Sequence, residues 1–196
     1  MNSIRCIACD SKFYRKILKR KSGISLYECN DCGVQFWYPV KHPGTKYYEE
    51  ALTYFLFNIS PSISWEHKQF LKDNIFYDSH QKKILDIGCG NGKFLYEASK
   101  LGYVPYGIDI NKKSVEIAHE KFGFRNVFCT TLEKFIKSNP GEFDVITFFE
   151  VLEHMDNPKE FITQVKKLTR KCSYIALSVP NRKRSFDSLG EGDFPP

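Results

Sequence analysis

The chain has 196 residues, of which 42% are hydrophobic and 15% aromatic, and its formal net charge at pH 7 is +6. This composition suits one domain with a sizeable core, or one domain with a small appendage. No apolar run in the sequence approaches the roughly 18 residues that cross a membrane, and the first ten residues lack the apolar region of a signal peptide. We therefore expect a soluble, cytoplasmic protein, whose seven cysteines are not a disulfide framework.

Four cysteines near the N-terminus form two Cys-x-x-Cys pairs that are separated by 19 intervening residues. The pairs are Cys6 with Cys9 and Cys29 with Cys32. This spacing predicts a zinc ribbon over residues 1–40, in which four thiolates close a tetrahedral, structural site. Short strands are expected around a basic turn at 19–23, and an aromatic strand at 36–39. A redox dithiol and unpaired core cysteines are the alternatives.

Residues 41–80 are predicted to be a linker followed by a helical cap. The linker is indicated by the Pro-Gly of K-H-P-G-T at 41–45. Apolar residues at helical intervals predict one helix at 47–57 and a second from Ser62 or Ser64 to about Tyr77. The second helix is expected to carry Trp65, Phe70, Leu71 and Ile75 on or near one face.

The stretch K-I-L-D-I-G-C-G-N-G-K-F at 83–94 predicts a buried strand, a glycine-rich turn and a helix. Glycine permits positive φ and close backbone approach, and the helix N-terminus is expected to offer N–H groups to an anion. Asp86 precedes the first glycine. A second predicted strand, 103–108, ends at Asp109, where an acidic residue can bind both hydroxyls of a ribose. An ordinary glycine-rich turn without a ligand is the alternative.

L-D-I-G-C-G-N-G together with G-I-D-I resembles class I S-adenosylmethionine-dependent methyltransferases. The resemblance implies an α/β fold with a doubly wound, Rossmann-like sheet over residues 81–196. It also implies that the glycine turn holds the methionine portion of S-adenosylmethionine, and that a polar residue such as Thr131 or Glu133 lies near the adenine. The cofactor-binding residues implied in this way are Asp86, Gly88, Cys89, Gly90, Gly92, Asp109, Ile110, Thr131, Leu132 and Glu150. Thr130 or Thr131 serves equally well as the N-cap of the next helix.

After Asp109 the pattern predicts alternating helices and strands. Asn111 is expected to cap a helix that ends near Phe122. The further predicted strands are 124–129, 143–149 and 172–179, and the further helices run from 130 or 131 to about 138 and from 157 to near 171. Strand 143–149 is the most hydrophobic and should lie inside the sheet.

The segment E-V-L-E-H at 150–154 follows that strand and should line a ligand pocket at the carboxyl ends of the strands. F-F-E-V-L-E-H-M-D-N-P resembles the post-strand signature of small-molecule O-methyltransferases. His154, Glu150 and Glu153 are therefore the candidate catalytic residues, with His154 as a general base on a substrate hydroxyl. The same E-x-x-E-H resembles the divalent-metal half-site of some ubiquinone-pathway and small-RNA 2′-O-methyltransferases, which is an alternative role.

The class I sheet has seven strands, whereas this sequence shows five and ends at D-F-P-P. We expect a C-terminally shortened methyltransferase whose fifth strand is an unpaired edge.

The sequence predicts methyl transfer to an oxygen or carbon atom of a small-molecule acceptor, such as a sugar or secondary metabolite. Two alternatives stay open. One is an RNA-modifying methyltransferase that binds phosphates through Lys19, Arg20 and Lys21 of the ribbon, although no N-P-P-[YF] motif follows the fourth strand. The other is a non-catalytic protein for cofactor binding or interaction. The oligomeric state is left undetermined.

Overall fold

A computed structural model describes residues 4–20, 23–39, 63–73, 81–138 and 141–180. The chain divides into two compact units. The first comprises residues 1–43, 153–162 and 180–196, and the second comprises 44–152 and 163–179. Within the described residues, no helix has the length and apolar character needed to cross a membrane. The helix predicted at 47–57 and the segment from 181 onward lie outside the described residues.

The first unit contains an antiparallel sheet of three strands in the order β1-β2-β3. These strands are β1 (Tyr14–Lys19), β2 (Ser25–Cys29) and β3 (Gln35–Tyr38). They confirm the short strands predicted around the basic turn and the aromatic strand that follows. One buried cluster of this unit is small, and it consists of Tyr27, Phe36, Cys6 and Cys29. Two of its four buried members are thus cysteines of the Cys-x-x-Cys pairs.

The second unit contains a five-stranded sheet in the order β6-β5-β4-β7-β8, in which all the neighbours are parallel. Its strands are β4 (Lys83–Ile87), β5 (Val104–Asp109), β6 (Val127–Cys129), β7 (Phe143–Phe149) and β8 (Thr169–Ser178). Its described helices are α1 (Trp65–Asp73), α2 (Lys93–Lys100), α3 (Lys112–Phe122) and α4 (Leu132–Ser138). A 3₁₀ helix (Leu152–His154) and α5 (Pro158–Lys166) each have residues in both units, because residues 153–162 belong to the first. This architecture confirms the predicted α/β fold.

Strands β4 and β7 lie inside the sheet because both of their faces are covered. Ile84, Leu85, Val145 and Ile146 are all fully buried, which explains the continuous apolar runs in the sequence. Asp144 is the exception in β7. Its carboxylate accepts a hydrogen bond from the Lys83 N–H at 2.8 Å and also pairs with Arg170, so the charge is balanced where it is buried.

The start of β6 differs from its prediction, because the strand begins at Val127 instead of Phe124. Gly123 ends α3 in the left-handed conformation with φ of 69°. The Phe124 N–H then bonds back to the Ala118 carbonyl, which is how such a glycine-terminated helix satisfies its last carbonyls. At the other end of α3 the predicted cap is confirmed, since Asn111 accepts a hydrogen bond from the Ser114 N–H at 2.9 Å.

The boundary between α5 and β8 also differs from its prediction. Helix α5 ends at Lys166, not near Lys171, and β8 begins at Thr169, not at Cys172. The start of β8 is irregular: Cys172 has φ of 69°, and the register with β7 shifts there. Ser173 stabilises the irregularity, because its hydroxyl donates to the Phe143 carbonyl at 2.7 Å and accepts from the Arg170 N–H at 2.8 Å.

Strand β8 pairs only with β7 among the described residues, as expected of an edge strand. Three large apolar side chains of β8, and a fourth in the residue directly after the strand, are 39% to 47% exposed. These residues are Tyr174, Ile175, Leu177 and Val179.

Helix α1 lies against α2 and the end of β7 through His67, not through Trp65, which is 72% exposed. The His67 ring stacks on Phe94 at a centroid distance of 4.6 Å and meets Phe149 edge-on at 5.0 Å. His67 and the buried Phe70 are three residues apart, so both lie on one helical face. Placing Trp65 on that face was wrong because it lies five residues before Phe70. Residues 74–80, with Ile75 and Tyr77, lie outside the described residues.

The packing of His67 predicts a loss of stability in acid. Burial lowers the pKa of His67 to about 4, so between pH 6.5 and pH 4 the unfolded chain binds a proton that the folded chain does not. The stability is present above pH 6.5 and declines as the pH falls. We expect His67→Phe to remove about 2 kcal/mol of this pH dependence, measured by urea unfolding at pH 7 and pH 4.5. Identical pH profiles for the two proteins would contradict the assignment.

Candidate active site

Two buried carboxylates lie near the carboxyl ends of the neighbouring strands β4 and β5. Asp86 and Asp109 are each 3% exposed. In the register of the two strands Asp86 is opposite Gly107, and Gly107 lies two residues before Asp109 in β5. Parallel strands place their carboxyl ends at one edge of a sheet, which is where open α/β sheets bind ligands. The two carboxylates therefore mark this edge as the candidate site.

The glycine loop between β4 and α2 is shaped by positive φ angles, which are 78° at Gly88, 53° at Gly90 and 76° at Gly92. At Gly88 a side chain is disfavoured by the positive φ and also by lack of space, because a Cβ there would lie 2.7 Å from Val151 Cγ2. The loop thus passes close to the segment that follows β7. The predicted strand, glycine turn with positive φ and helix are confirmed.

Four N–H groups of this loop are engaged within the protein. The Gly88 and Cys89 N–H groups donate to the Ile108 carbonyl at 2.8 and 3.1 Å, and the Gly92 N–H donates to the Cys89 carbonyl at 3.0 Å. The Gly90 N–H donates to Asp109 Oδ2 at 2.8 Å. These four groups are therefore already used, whereas the prediction that the N-terminus of α2 offers N–H groups to an anion stays a prediction. Two buried carboxylates beside the loop favour a cationic ligand instead.

The two carboxylates have different surroundings. Asp109 accepts hydrogen bonds from the Gly90 N–H and, at 2.7 Å, from the Asn111 N–H. Asp86 accepts a hydrogen bond from Thr147 Oγ1 at 2.6 Å. Burial raises the pKa of Asp86 to about 7, the Thr147 hydrogen bond opposes the shift, and the charge of Asp109 adds to it.

The side chain of Cys89 faces the core and not the site. A Cβ at Gly107 would lie 2.7 Å from Cys89 Sγ, so a glycine in β5 makes room for this thiol. Burial raises the pKa of Cys89 well above its ordinary value, which keeps the thiol protonated and unreactive. Only the backbone of Cys89 is available to a ligand.

The residues predicted near an adenine begin helix α4. Thr131 Oγ1 accepts from the Lys134 N–H at 3.4 Å, so the alternative role of Thr131 as a helix cap is confirmed. Leu132 is 7% exposed. Glu133 forms an exposed ion pair with Lys137 at 2.7 Å. Contacts of Ile110, Thr131 and Leu132 with a ligand stay predictions.

Glu150 has an unusual backbone for a non-glycine residue, with φ of 53°. Its N–H donates to the carbonyl of Ser178 at 3.1 Å and to its Oγ at 3.2 Å. The Ser178 hydroxyl in turn donates to Glu150 Oε1 at 2.8 Å. Backbone strain that is held in this way is common at functional sites. Ser178 therefore orients the first residue after β7.

Glu153 and His154 lie in the 3₁₀ helix that follows Glu150 and Val151. Glu153 Oε1 is 3.9 Å from His154 Nε2, and the His154 side chain is 33% exposed. Across the described residues, the only group of His, Cys, Asp and Glu side chains that meets the geometry of a metal site is the cysteine cluster. A divalent-metal site built from Glu150, Glu153 and His154 is therefore not supported.

Three residues near the site were not predicted from sequence: His67, Thr147 and Ser178. His67 could have been found, because its spacing from Phe70 and Leu71 is that of one helical face. No local sequence pattern indicates a role for Thr147 or Ser178. Their partners Asp86 and Glu150 are 61 and 28 residues away in sequence, so only the strand pairing brings them together.

The four predicted cysteine ligands are gathered in the first unit, with all their sulfurs within 4.8 Å of one another. The shortest distances are 3.6 Å between Cys6 and Cys32 and 3.5 Å between Cys9 and Cys29. Tetrahedral zinc with Zn–S bonds near 2.3 Å separates its sulfurs by about 3.8 Å. The donor set therefore fits zinc.

Similar proteins agree with this geometry. A family model described as "Methyltransferase domain" matches residues 56–192. The ubiquinone biosynthesis O-methyltransferase of Vibrio atlanticus is 33% identical over 105 residues, which are 52% of this chain and 44% of that protein. The protein of the same name from Glaesserella parasuis serovar 5 is 35% identical over 109 residues, which are 52% of this chain and 46% of that protein. The chain spans about half the length of the curated relatives it matches.

Solved structures share the fold. A SAM-dependent methyltransferase from Archaeoglobus fulgidus has a TM-score of 0.53 and 30% identity, with 66% of this chain and 59% of that chain covered. The plantazolicin methyltransferase BpumL in complex with SAH has a TM-score of 0.51 and 24% identity, with 71% and 53% covered. Since the family model spans well over half of the sequence, this chain belongs to the methyltransferase domain family.

Proposed function

We propose that the chain binds S-adenosylmethionine and transfers its methyl group to a small-molecule acceptor. The observation that carries this proposal is the pair of buried carboxylates, Asp86 and Asp109, beside a glycine loop whose N–H groups are already used. S-adenosylmethionine presents a sulfonium, an ammonium and two ribose hydroxyls to a site, and it has no phosphate that needs a cradle of N–H groups. The site therefore matches its chemistry better than that of a dinucleotide.

Each carboxylate has its own part in this proposal. Asp109 accepts hydrogen bonds from the ribose hydroxyls, and Asp86 faces the ammonium of the methionine portion. The backbone of the glycine loop follows the methionine chain, while Ile110, Thr131 and Leu132 border the adenine. In domain terms, residues 1–40 form a zinc ribbon, 41–80 a linker and cap, and 81–196 the methyltransferase core.

The bound cofactor supplies an electrophilic methyl group, so the protein mainly orients the acceptor and excludes water. His154 takes the proton of an acceptor hydroxyl at Nε2. The Glu153 carboxylate, 3.9 Å away, stabilises the imidazolium that results. Glu150, which is fixed by Ser178, contributes a second carboxylate after β7.

A hydroxyl on a small molecule is the proposed methyl acceptor. The support is the name of the curated relatives, ubiquinone biosynthesis O-methyltransferase, which are about one third identical over half of this chain. Methylation at carbon, on a sugar or secondary metabolite, is the second option from the sequence resemblance. Screening with polyhydroxylated aromatic compounds and sugar nucleotides finds the acceptor, and NMR of the product then separates methylation at oxygen from methylation at carbon.

Cofactor binding is tested by calorimetric titration with S-adenosylhomocysteine (SAH). We expect micromolar binding by the wild-type chain and at least tenfold weaker binding by Asp109→Asn, because the amide loses charge-assisted hydrogen bonds to the ribose worth about 1.5–3 kcal/mol each. Asp73→Asn, an exposed change at the end of α1, is the matched control. An unchanged Kd in folded Asp109→Asn would contradict the ribose assignment, and absence of binding by the folded wild type would contradict the function.

The role of His154 is tested once screening has found an acceptor. We expect His154→Gln to lower kcat by about 10²–10⁴, the usual contribution of a general base, and to leave the affinity for SAH unchanged. The pH profile of kcat should also lose its lower limb. A variant with the wild-type kcat and pH profile would show that His154 is not the base.

The cysteine cluster is proposed to hold one structural zinc ion. Because the buried cluster of the ribbon is so small, metal binding would supply most of its folding free energy. We expect about one zinc per chain by elemental analysis, and loss of the zinc together with protease sensitivity of residues 4–39 in Cys29→Ser.

Cys172→Ser, in the exposed strand β8, is the control for the zinc experiment and should keep its metal. Thiol titration under denaturing, metal-free conditions separates the metal site from the redox alternative. Four reactive thiols in the ribbon agree with zinc, whereas disulfides in a metal-free but protease-resistant ribbon would contradict it.

A further inference from the structure

Asp86 and Thr147 form a fully enclosed pair across two strands. They are opposite each other in the register of β4 and β7, and their exposures are 3% and 0%. Thr147 Oγ1 lies 2.6 Å from Asp86 Oδ1 and 3.5 Å from the Leu85 carbonyl. Both distances permit a hydrogen bond, although the second is long.

A threonine hydroxyl has one hydrogen, so it can donate to only one of these two acceptors. When Asp86 is ionised, Thr147 donates to the carboxylate. When Asp86 is protonated, its O–H can donate to Thr147 Oγ1 while Thr147 donates to the Leu85 carbonyl. The geometry thus satisfies both protonation states of the carboxyl without movement of a backbone.

The groups that face Asp86 favour the protonated state in the absence of a ligand. Asp109 of β5 contributes a second negative charge, and the Cys89 thiol of the glycine loop is buried and stays neutral. The buried residues of α2, which are Phe94, Leu95 and Ala98, are apolar. Burial, followed by the charge of Asp109, is what raises the pKa of Asp86 to about 7, against the hydrogen bond from Thr147.

We infer that binding of the methionine portion of the cofactor releases a proton from Asp86, and that Thr147 positions the carboxyl for this exchange. The inference rests on the proposed function, and it assigns a coupling to the same site. The balance is simple: the neutral carboxyl and the cationic ammonium become a carboxylate–ammonium pair, and the proton leaves to solvent. The Thr147 hydrogen then turns from the Leu85 carbonyl to the new carboxylate.

This coupling makes cofactor affinity depend on pH. Below about pH 7 Asp86 must lose its proton before it can pair with the ammonium, so the affinity falls as the pH falls. SAH should bind about tenfold more weakly at pH 6 than at pH 8. The ammonium of the ligand stays charged across this range, so the change belongs to the protein.

The experiment is calorimetry of the full, zinc-loaded chain with two probes, SAH and 5′-methylthioadenosine, in buffers of different ionisation enthalpy. At pH 6 SAH should release close to one proton, and at pH 8 almost none. Methylthioadenosine lacks the amino-acid portion and should release no proton at either pH. Asp86→Asn, which mimics the protonated carboxyl, should bind SAH weakly with no release.

Thr147 is tested by two variants of similar size. Thr147→Val removes the hydrogen bond that lowers the pKa of Asp86, so the pH midpoint of SAH affinity should rise by about one unit. At alkaline pH the affinity of this variant for SAH should return to that of the wild type. Thr147→Ser keeps the hydroxyl and should restore the wild-type midpoint. A residue needed only for packing would weaken affinity equally at every pH.

The outcomes separate the inference from the proposed function. SAH binding at both pH values without proton release, or equal release by both probes, would overturn the coupling and leave the cofactor site standing. No binding of either probe at any pH by the folded protein would overturn the proposed function, and the coupling with it.

Discussion

The candidate site depends on the burial of two carboxylates at one edge of a parallel sheet. A carboxyl group is costly to bury without hydrogen-bond partners, and here the partners come from the protein backbone and from one hydroxyl. Asp109 is held by the N–H groups of Gly90 and Asn111, and Asp86 by Thr147. The left-handed backbone at Gly90 is part of this arrangement, because it belongs to the turn that directs its N–H to Asp109.

The same arrangement decides what the site can accept. The N–H groups of Gly88, Cys89, Gly90 and Gly92 bond to Ile108, Asp109 and the loop itself, and two carboxyl groups lie beside them. This arrangement favours a cationic ligand with vicinal hydroxyls over a pyrophosphate. The methyltransferase domain family, to which the chain belongs, is consistent with this electrostatic preference.

Most of the sheet could be predicted from sequence, because each of its strands is a local pattern. The buried runs of β4 and β7, the Asn111 cap and the glycine turn all follow from neighbouring residues. The irregular start of β8 could not be predicted, since it depends on the hydrogen bond of Ser173 with the Phe143 carbonyl, which is 30 residues away. The partners of the site residues, Thr147 and Ser178, escaped prediction for the same reason: they are tertiary contacts. The acid–base surroundings of Asp86 likewise appear only when the strands are paired.

The most direct test is a crystal structure of the full chain with SAH, grown near pH 8, where Asp86 is ionised in the proposed complex. The account predicts that both ribose hydroxyls lie within hydrogen-bond distance of the Asp109 carboxylate, and that the ammonium lies beside Asp86. A ligand whose ribose is bound away from Asp109, with Asp86 still enclosed by Thr147 and the core, would contradict it.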